Sequence, residues 1–180
     1  MNQVNKIHRW LNTALTALVL CGLVVGGKFA YAKYSSITIE ETYASEMTQI
    51  TKDEGFRECT YKDTKGLGTI GFGHLILTNE EITCITLPEA MLLLQKDYTI
   101  ALTAVERNFP WAEGEVKLVL TNMSYQLGIT KLLKFKKTLK HLKAKDYTNA
   151  SIEMTKSRWY KETPKRALRQ AIRILALEEK

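Results

Sequence analysis

The sequence is poor in the residues that build metal sites, with three histidines and three cysteines among 180 residues. No other ligand group is spaced to join His74, so we interpret that histidine as structural and predict neither a metal nor a cofactor. Three cysteines cannot all pair within one chain, so if the chain is exported, one thiol stays free or the cysteines exchange disulfide partners. Hydrophobic residues make up 45% and charged residues 25%, which excludes a disordered chain and indicates one globular domain with an appendage.

Acidic residues are scarce in the last part of the chain. Residues 131–180 contain 15 Lys and Arg but five Asp and Glu, whereas residues 1–130 are slightly acidic. Such a basic segment suits an anionic polymer or a membrane surface, and a solvated basic face is the alternative. The aromatic-interleaved and helix-turn-helix patterns of nucleic-acid-binding proteins are missing, so we predict no nucleic-acid partner.

One uncharged segment is long enough to reach across a bilayer. Lys6 and Arg9 precede an uncharged run over residues 10–27, which at helical rise covers about 27 Å, close to the hydrocarbon thickness of about 30 Å. The run is only weakly apolar and contains three glycines. We therefore predict an N-terminal hydrophobic helix in an export or signal-anchor segment, residues 1–33. A linker of mixed composition follows at 34–44, and the main domain occupies 45–180.

Two fates of this N-terminal segment fit the sequence. Ala30-Tyr31-Ala32 has the small-x-small form of a signal-peptidase site, which predicts secretion after cleavage following Ala32. Alternatively the segment stays attached as a membrane anchor, an interpretation favoured by its weak apolarity and by Lys28, which is atypical just before a cleavage site. In both cases we expect the main domain to be exported.

The most informative motif contains two carboxylates and a hydroxyl, at Glu54, Asp63 and Thr69. Glycoside hydrolysis needs one carboxylic acid to protonate the leaving oxygen and a second carboxylate to activate water or attack the anomeric carbon. Short β-favouring stretches and a turn that begins at Asp63 predict a small antiparallel sheet that holds the three groups around one cleft. These residues indicate a polysaccharide hydrolase; the alternative is a surface charge at a helix end and an aspartate that opens a turn.

Helical periodicity dominates the rest of the chain. Thr86 and Glu89 predict a capping box at the start of a long amphipathic helix that ends before Pro110. A second helix over about residues 113–127 and several shorter helices follow, with Trp159 expected in the core. The predicted fold class is α+β, mainly α, with the small antiparallel sheet beside a helical body.

The motif resembles that of the phage lysozymes, the muramidase endolysins of the T-even coliphage type. Their pattern is Glu, eight residues, Asp, five residues, Thr, and then a Gly-x-Gly-His segment. Glu54, Asp63 and Thr69 match it without a gap, and the resemblance continues at residues 120–128 and 157–167. It implies a lysozyme-like domain of two lobes, in which the long helix joins the sheet lobe to the helical lobe.

The resemblance also implies a function. The substrate would be bacterial peptidoglycan, cut at the β-1,4 bond between N-acetylmuramic acid and N-acetylglucosamine by a monomer that causes host cell lysis. Glu54 would be the general acid, and Asp63 with Thr69 would hold the attacking water, giving inversion. Two alternatives remain open: a lytic transglycosylase, which needs no essential aspartate, and a non-enzymatic basic protein that binds cell wall or nucleic acid.

Other positions acquire expected roles through the same resemblance. Leu75, Tyr125 and Thr138 fall at substrate-contact positions, and Arg166 aligns with an arginine that pairs with the catalytic glutamate. A further contact position, usually Asn, is Glu153 here. On the residues alone, Tyr125 fits equally well as a buried tyrosine anchored by its hydroxyl. For Arg166 the alternative is one more solvated base in a basic helix.

The N-terminal segment resembles the signal-arrest-release anchors of some endolysins, which implies export to the host periplasm with an initial tether to the bacterial inner membrane. In some of these proteins a disulfide near the catalytic glutamate keeps the tethered form inactive until a thiol from the membrane segment attacks it. By this resemblance Cys59 and Cys84 would form the bond and Cys21 would supply the thiol. The alternative is three small buried residues without a disulfide.

Overall fold

The computed structural model describes residues 27–63 and 66–179, with side chains from residue 41 onward. The apolar run at residues 10–26 and Cys21 lie outside these residues, so the predicted membrane anchor stays a prediction. Within the described part of the chain, no helix is both long and apolar enough to cross a membrane. The chain divides into two compact units, Met1–Glu46 and Met47–Lys180, and the site residues described below belong to the second.

Helix α1 spans Gly27–Glu54 and ends at the predicted general acid. Residues 28–54 contain neither proline nor glycine, so no residue interrupts the helical hydrogen bonds. The helix therefore includes residues 34–44, the stretch that is predicted to be a linker from its mixed composition.

Three short strands follow α1 and form an antiparallel sheet in the order β1 (Arg57–Lys62), β2 (Gly68–Gly71) and β3 (His74–Leu75). Thr69 lies opposite both Tyr61 of β1 and Leu75 of β3. The register of β1 shifts between Arg57 and Tyr61, which marks a bulge or irregularity. The sheet is as small as the short β-favouring stretches predict.

A loop over residues 76–86 follows β3, and the described chain then contains seven helices: α2 (Leu87–Asn108), α3 (Gly114–Leu127), α4 (Ile129–Leu132), α5 (Lys136–Lys143), α6 (Tyr147–Thr155), α7 (Arg158–Glu162) and α8 (Pro164–Leu175). At the start of α2, the Thr86 side chain accepts the Glu89 N–H, and the Glu89 carboxylate accepts the Thr86 N–H. This reciprocal pair confirms the predicted capping box. The mainly helical α+β fold class is likewise confirmed.

The main core lies in the helical lobe and surrounds α3. Its fully buried side chains come from several helices and include Val105, Leu120, Met123, Leu132, Met154 and Ile174. Trp159 is buried in this core, as predicted, and its Nε1 donates a 2.7 Å hydrogen bond to Gln126 Oε1. Because α3 is closely packed on these sides, its side chains that face the sheet and α8 are held in fixed positions.

Candidate active site

Glu54 occupies the last position of α1 and is paired with Arg166 of α8. Arg166 Nη1 donates a 2.5 Å hydrogen bond to Glu54 Oε1, while Arg166 Nε donates to Asn122 Oδ1 at 2.9 Å. The Arg166 side chain is 6% exposed and the Glu54 side chain 25% exposed. The arginine is therefore a buried partner of the predicted acid, as the resemblance implies, and the interpretation as a solvated base is wrong.

Asp53 and Arg169 extend this charged cluster. Asp53 Oδ2 lies 2.5 Å from Arg169 Nη2 and 3.5 Å from Arg166 Nε. The sequence patterns predict no functional role for Asp53, Asn122 or Arg169. One usable signal exists: Arg166 and Arg169 are three residues apart on α8 and so share a helix face, which suits two adjacent carboxylates at the end of α1.

Asp63 and Thr69 are held together through the backbone of Leu67. Asp63 Oδ1 accepts the Leu67 N–H at 2.9 Å, and Thr69 Oγ1 donates to the Leu67 carbonyl at 3.2 Å. The Asp63 N–H donates to the same carbonyl at 2.9 Å, and the Gly66 N–H closes the turn onto the Asp63 carbonyl at 2.9 Å. The loop between β1 and β2 thus places the second carboxylate and the hydroxyl in one small structural unit.

The turn between β2 and β3 lies against the Glu54 carboxylate. Gly73 has φ +87°, and a Cβ atom at this position would lie 3.5 Å from Glu54 Oε2. A residue with a side chain would be strained in this backbone conformation, which explains the glycine. The neighbouring Phe72 is buried, with its ring centroid 5.5 Å from that of Phe56.

His74 anchors this turn to α2. Its Nδ1 lies 2.8 Å from Asp97 Oδ2, and its Nε2 lies 3.1 Å from Glu80 Oε2. Glu80 also accepts the Leu77 N–H at 3.0 Å. The Leu77 N–H first, and then His74, hold the pKa of Glu80 below its ordinary value. Each ring nitrogen thus has a carboxylate oxygen within hydrogen-bond distance, as the structural interpretation of His74 predicts.

Tyr125 reaches the same turn from α3. Its hydroxyl donates a 2.8 Å hydrogen bond to the Phe72 carbonyl. Burial raises the pKa of Tyr125 well above its ordinary value, and the negative charges of Asp97 and Glu54 add to that rise. The hydroxyl is anchored, as one interpretation of the sequence predicts, while contact of the ring with a saccharide stays a prediction.

The other two expected substrate-contact positions differ in exposure. Leu75 lies on β3 and is 44% exposed, whereas Thr138 lies on α5 and is 2% exposed. Burial leaves the Thr138 side chain little surface for a ligand in this conformation. Glu153, where the family usually has Asn, lies 3.4 Å from Lys156 Nζ. The roles of Leu75 and Thr138 in substrate binding stay predictions.

Cys59 of β1 and Cys84 form a disulfide, and both residues are exposed. Their Cα atoms are 3.9 Å apart at an isolated antiparallel bridge. The backbone hydrogen bonds on either side of this bridge, both 2.8 Å, make the cysteines a non-hydrogen-bonded pair, the position at which facing side chains approach most closely. The structure thus contains the bond that the resemblance implies, and the alternative of three unbonded cysteines is wrong.

The chain is similar in sequence to known proteins. A protein-family model described as "Phage lysozyme" matches residues 51–173. The chain is 32% identical to "Probable T4-type lysozyme 2" of Dictyostelium discoideum over 65% of this chain and 85% of that protein. It is 29% identical to "Pre-baseplate central spike protein Gp5" of Enterobacteria phage T4 over 70% of this chain and 27% of that protein.

Proposed function

Because the chain belongs to the phage lysozyme family, we propose that it hydrolyses the β-1,4 bond between N-acetylmuramic acid and N-acetylglucosamine in bacterial peptidoglycan. The observation that carries the proposal is that Glu54 ends α1 beside the turn between β2 and β3 of the small sheet. The loop between β1 and β2 of the same sheet joins Asp63 to Thr69. A carboxylate from a helix and a second carboxylate from a sheet loop are the two groups that glycoside hydrolysis requires.

Glu54 would be the general acid that protonates the leaving oxygen. To act as an acid, Glu54 must carry a proton when the substrate is bound. Substrate that covers the partly exposed carboxyl would exclude water from the site of proton transfer. Arg166 would then stabilise the carboxylate after proton transfer, because it already donates a hydrogen bond to Oε1.

Asp63 would be the general base. The Leu67 N–H donates to Asp63 Oδ1 and thereby fixes the orientation of the carboxyl group. Thr69 gives its own hydroxyl hydrogen to the Leu67 carbonyl, so its oxygen is left as an acceptor for a water hydrogen. A water that donates to both Asp63 and Thr69 would attack the anomeric carbon and give inversion.

The chemical test is digestion of purified peptidoglycan by the full chain, with analysis of new reducing ends and of their anomeric configuration. We expect reducing N-acetylmuramic acid ends, with inverted configuration in the first product formed. Asp63→Asn should lower the rate by about 10²–10⁴-fold, a typical general acid–base contribution. Products with 1,6-anhydro ends, together with an active Asp63→Asn variant, would favour a lytic transglycosylase.

We also propose that the domain acts as an endolysin in the host periplasm, initially tethered to the inner membrane by its N-terminal segment. Support comes from the weakly apolar run at residues 10–27 and from the basic residues before it. Fractionation of cells that express the chain would test this: we expect a membrane-bound form that later becomes soluble. Secretion of a form that begins after Ala32 would contradict the tether and favour cleavage.

A further inference from the structure

A single tyrosine connects the helical lobe to the turn beside the predicted acid. The Tyr125 hydroxyl donates to the Phe72 carbonyl at 2.8 Å, 53 residues away in the sequence. Among the side-chain hydrogen bonds of the described residues, it is the one that joins α3 to the turn between β2 and β3. The bond uses a backbone acceptor, so it constrains the path of the turn itself.

The next residue of that turn lies beside the acid. Gly73 follows Phe72 directly, and a Cβ atom added at Gly73 would lie 3.5 Å from Glu54 Oε2. The ring of Phe72 against Phe56 and the hydrogen bonds of His74 also hold the turn. The Tyr125 hydroxyl adds a constraint that comes from the helical lobe.

The hydroxyl remains a hydrogen-bond donor under all conditions in which the enzyme would act. Burial, together with the charges of Asp97 and Glu54, raises the pKa of Tyr125 above its ordinary value near 10. The phenol therefore keeps its proton in neutral and mildly acidic solution. Its rigid two-torsion side chain holds the donor in place at low entropic cost.

We propose that Tyr125 is a positioning residue whose hydroxyl holds the Phe72–Gly73 turn against the Glu54 carboxyl and thereby aligns the acid with the leaving oxygen. This role belongs to the hydroxyl and is separate from the contact with saccharide expected for the ring. The proposal rests on the proposed glycoside hydrolysis for its kinetic consequence. Its structural consequence, the order of the turn, does not depend on any activity.

The test compares Tyr125→Phe with Tyr160→Phe, a control that removes the hydroxyl of another partly buried tyrosine, packed against the helical core. Both variants keep the ring, so the saccharide contact is preserved. On soluble peptidoglycan fragments we expect Tyr125→Phe to lower kcat about fivefold, the effect of one net hydrogen bond, with KM within about twofold. Tyr160→Phe should leave both constants unchanged.

Amide hydrogen exchange over residues 72–74 is the second readout. We expect faster exchange there in Tyr125→Phe than in the wild type, and no change in Tyr160→Phe. Unchanged exchange in Tyr125→Phe would overturn the proposal. In an active enzyme, an unchanged kcat, or a change in KM alone, would also overturn it. If the wild type cleaves no peptidoglycan, the proposed function fails, and the exchange result alone decides whether Tyr125 orders the turn.

Discussion

Arg166 Nη1 and Glu54 Oε1 are joined by a 2.5 Å hydrogen bond across 112 residues of sequence. The same guanidinium donates to the Asn122 side chain and, at 3.4 Å, to the Asn122 carbonyl. The end of α1, the middle of α3 and the start of α8 therefore meet at one buried cation. The candidate acid is thus connected directly to the packing of the helical lobe.

Replacing that cation should destabilise the fold strongly. Arg166→Leu leaves the Glu54 carboxylate without its partner and the Asn122 oxygen without its donor, and breaking a buried pair typically costs about 3–5 kcal/mol. Because Glu54 is partly exposed, we expect about 3 kcal/mol less free energy of unfolding, measured by urea denaturation. Arg158→Leu, which removes an exposed partner of Glu162, is the control and should cost less than about 1 kcal/mol. Equal losses in the two variants would contradict the assigned role of Arg166.

The dependence of stability on pH should reveal how much the Glu80 carboxylate stabilises the fold. The Leu77 N–H and His74 lower the pKa of Glu80 in the folded state. The ionised carboxylate therefore stabilises the fold above the ordinary pKa of about 4.5. This contribution is lost as the pH falls through the lowered pKa of the folded state. We expect Glu80→Gln to be less stable than the wild type at pH 7, with a difference that shrinks below pH 4.5. Thermal unfolding measured from pH 3 to 7 checks this, with the exposed neighbour in Glu81→Gln as control. A difference that is constant with pH would refute the assignment.

The lysines of α5 should matter for whole cell walls and not for small substrates. Lys136, Lys140 and Lys143 are exposed, and residues 116–145 contain no aspartate or glutamate. We expect the triple variant Lys136→Glu/Lys140→Glu/Lys143→Glu to lyse intact walls more slowly than the wild type, and its rate to depend less on salt. Salt weakens the attraction because exposed charges are screened beyond about 8 Å at physiological ionic strength. The matched control replaces the same lysines by arginine and should behave as the wild type. The same salt response on walls and on a short neutral oligosaccharide would show that the lysines are only a solvated surface.

Local signals and long-range packing differ in how far the sequence predicts them. The capping box at Thr86 and the order Glu54, Asp63, Thr69 depend on neighbouring residues, and a pattern of spacing is sufficient to find them. The Asn122–Arg166 bond and the Tyr125–Phe72 bond depend on how helices pack against the sheet. No local pattern encodes those distances. The backbone of Leu67 joins Asp63 to Thr69, and a backbone group leaves no trace in residue type.

The cysteines provide a test of regulation. We expect Cys21→Ser to delay lysis, because the thiolate that would attack the Cys59–Cys84 disulfide after membrane release is missing. Attack on Cys59 forms a Cys21–Cys59 bond and releases Cys84 as a thiolate. Mass mapping should therefore find the Cys59–Cys84 bond in the membrane-bound form, and a Cys21–Cys59 bond with a free Cys84 thiol in the released form. Lysis on the normal schedule by Cys21→Ser, with no Cys21–Cys59 bond in either form, would show that any regulation comes from tethering alone.

The central claim is that Glu54 is the general acid, and one pair of variants tests it most directly. Glu54→Gln keeps an oxygen acceptor for Arg166 but has no proton to give, whereas Glu58→Gln makes the same change at an exposed position of β1. The measurement is the initial rate of reducing-end release from purified peptidoglycan, after circular dichroism has shown that both variants fold. We predict that Glu54→Gln loses about 10²–10⁴-fold in rate and that Glu58→Gln retains wild-type activity. Full cleavage by Glu54→Gln would contradict the assignment of the acid and, with it, the proposed enzyme.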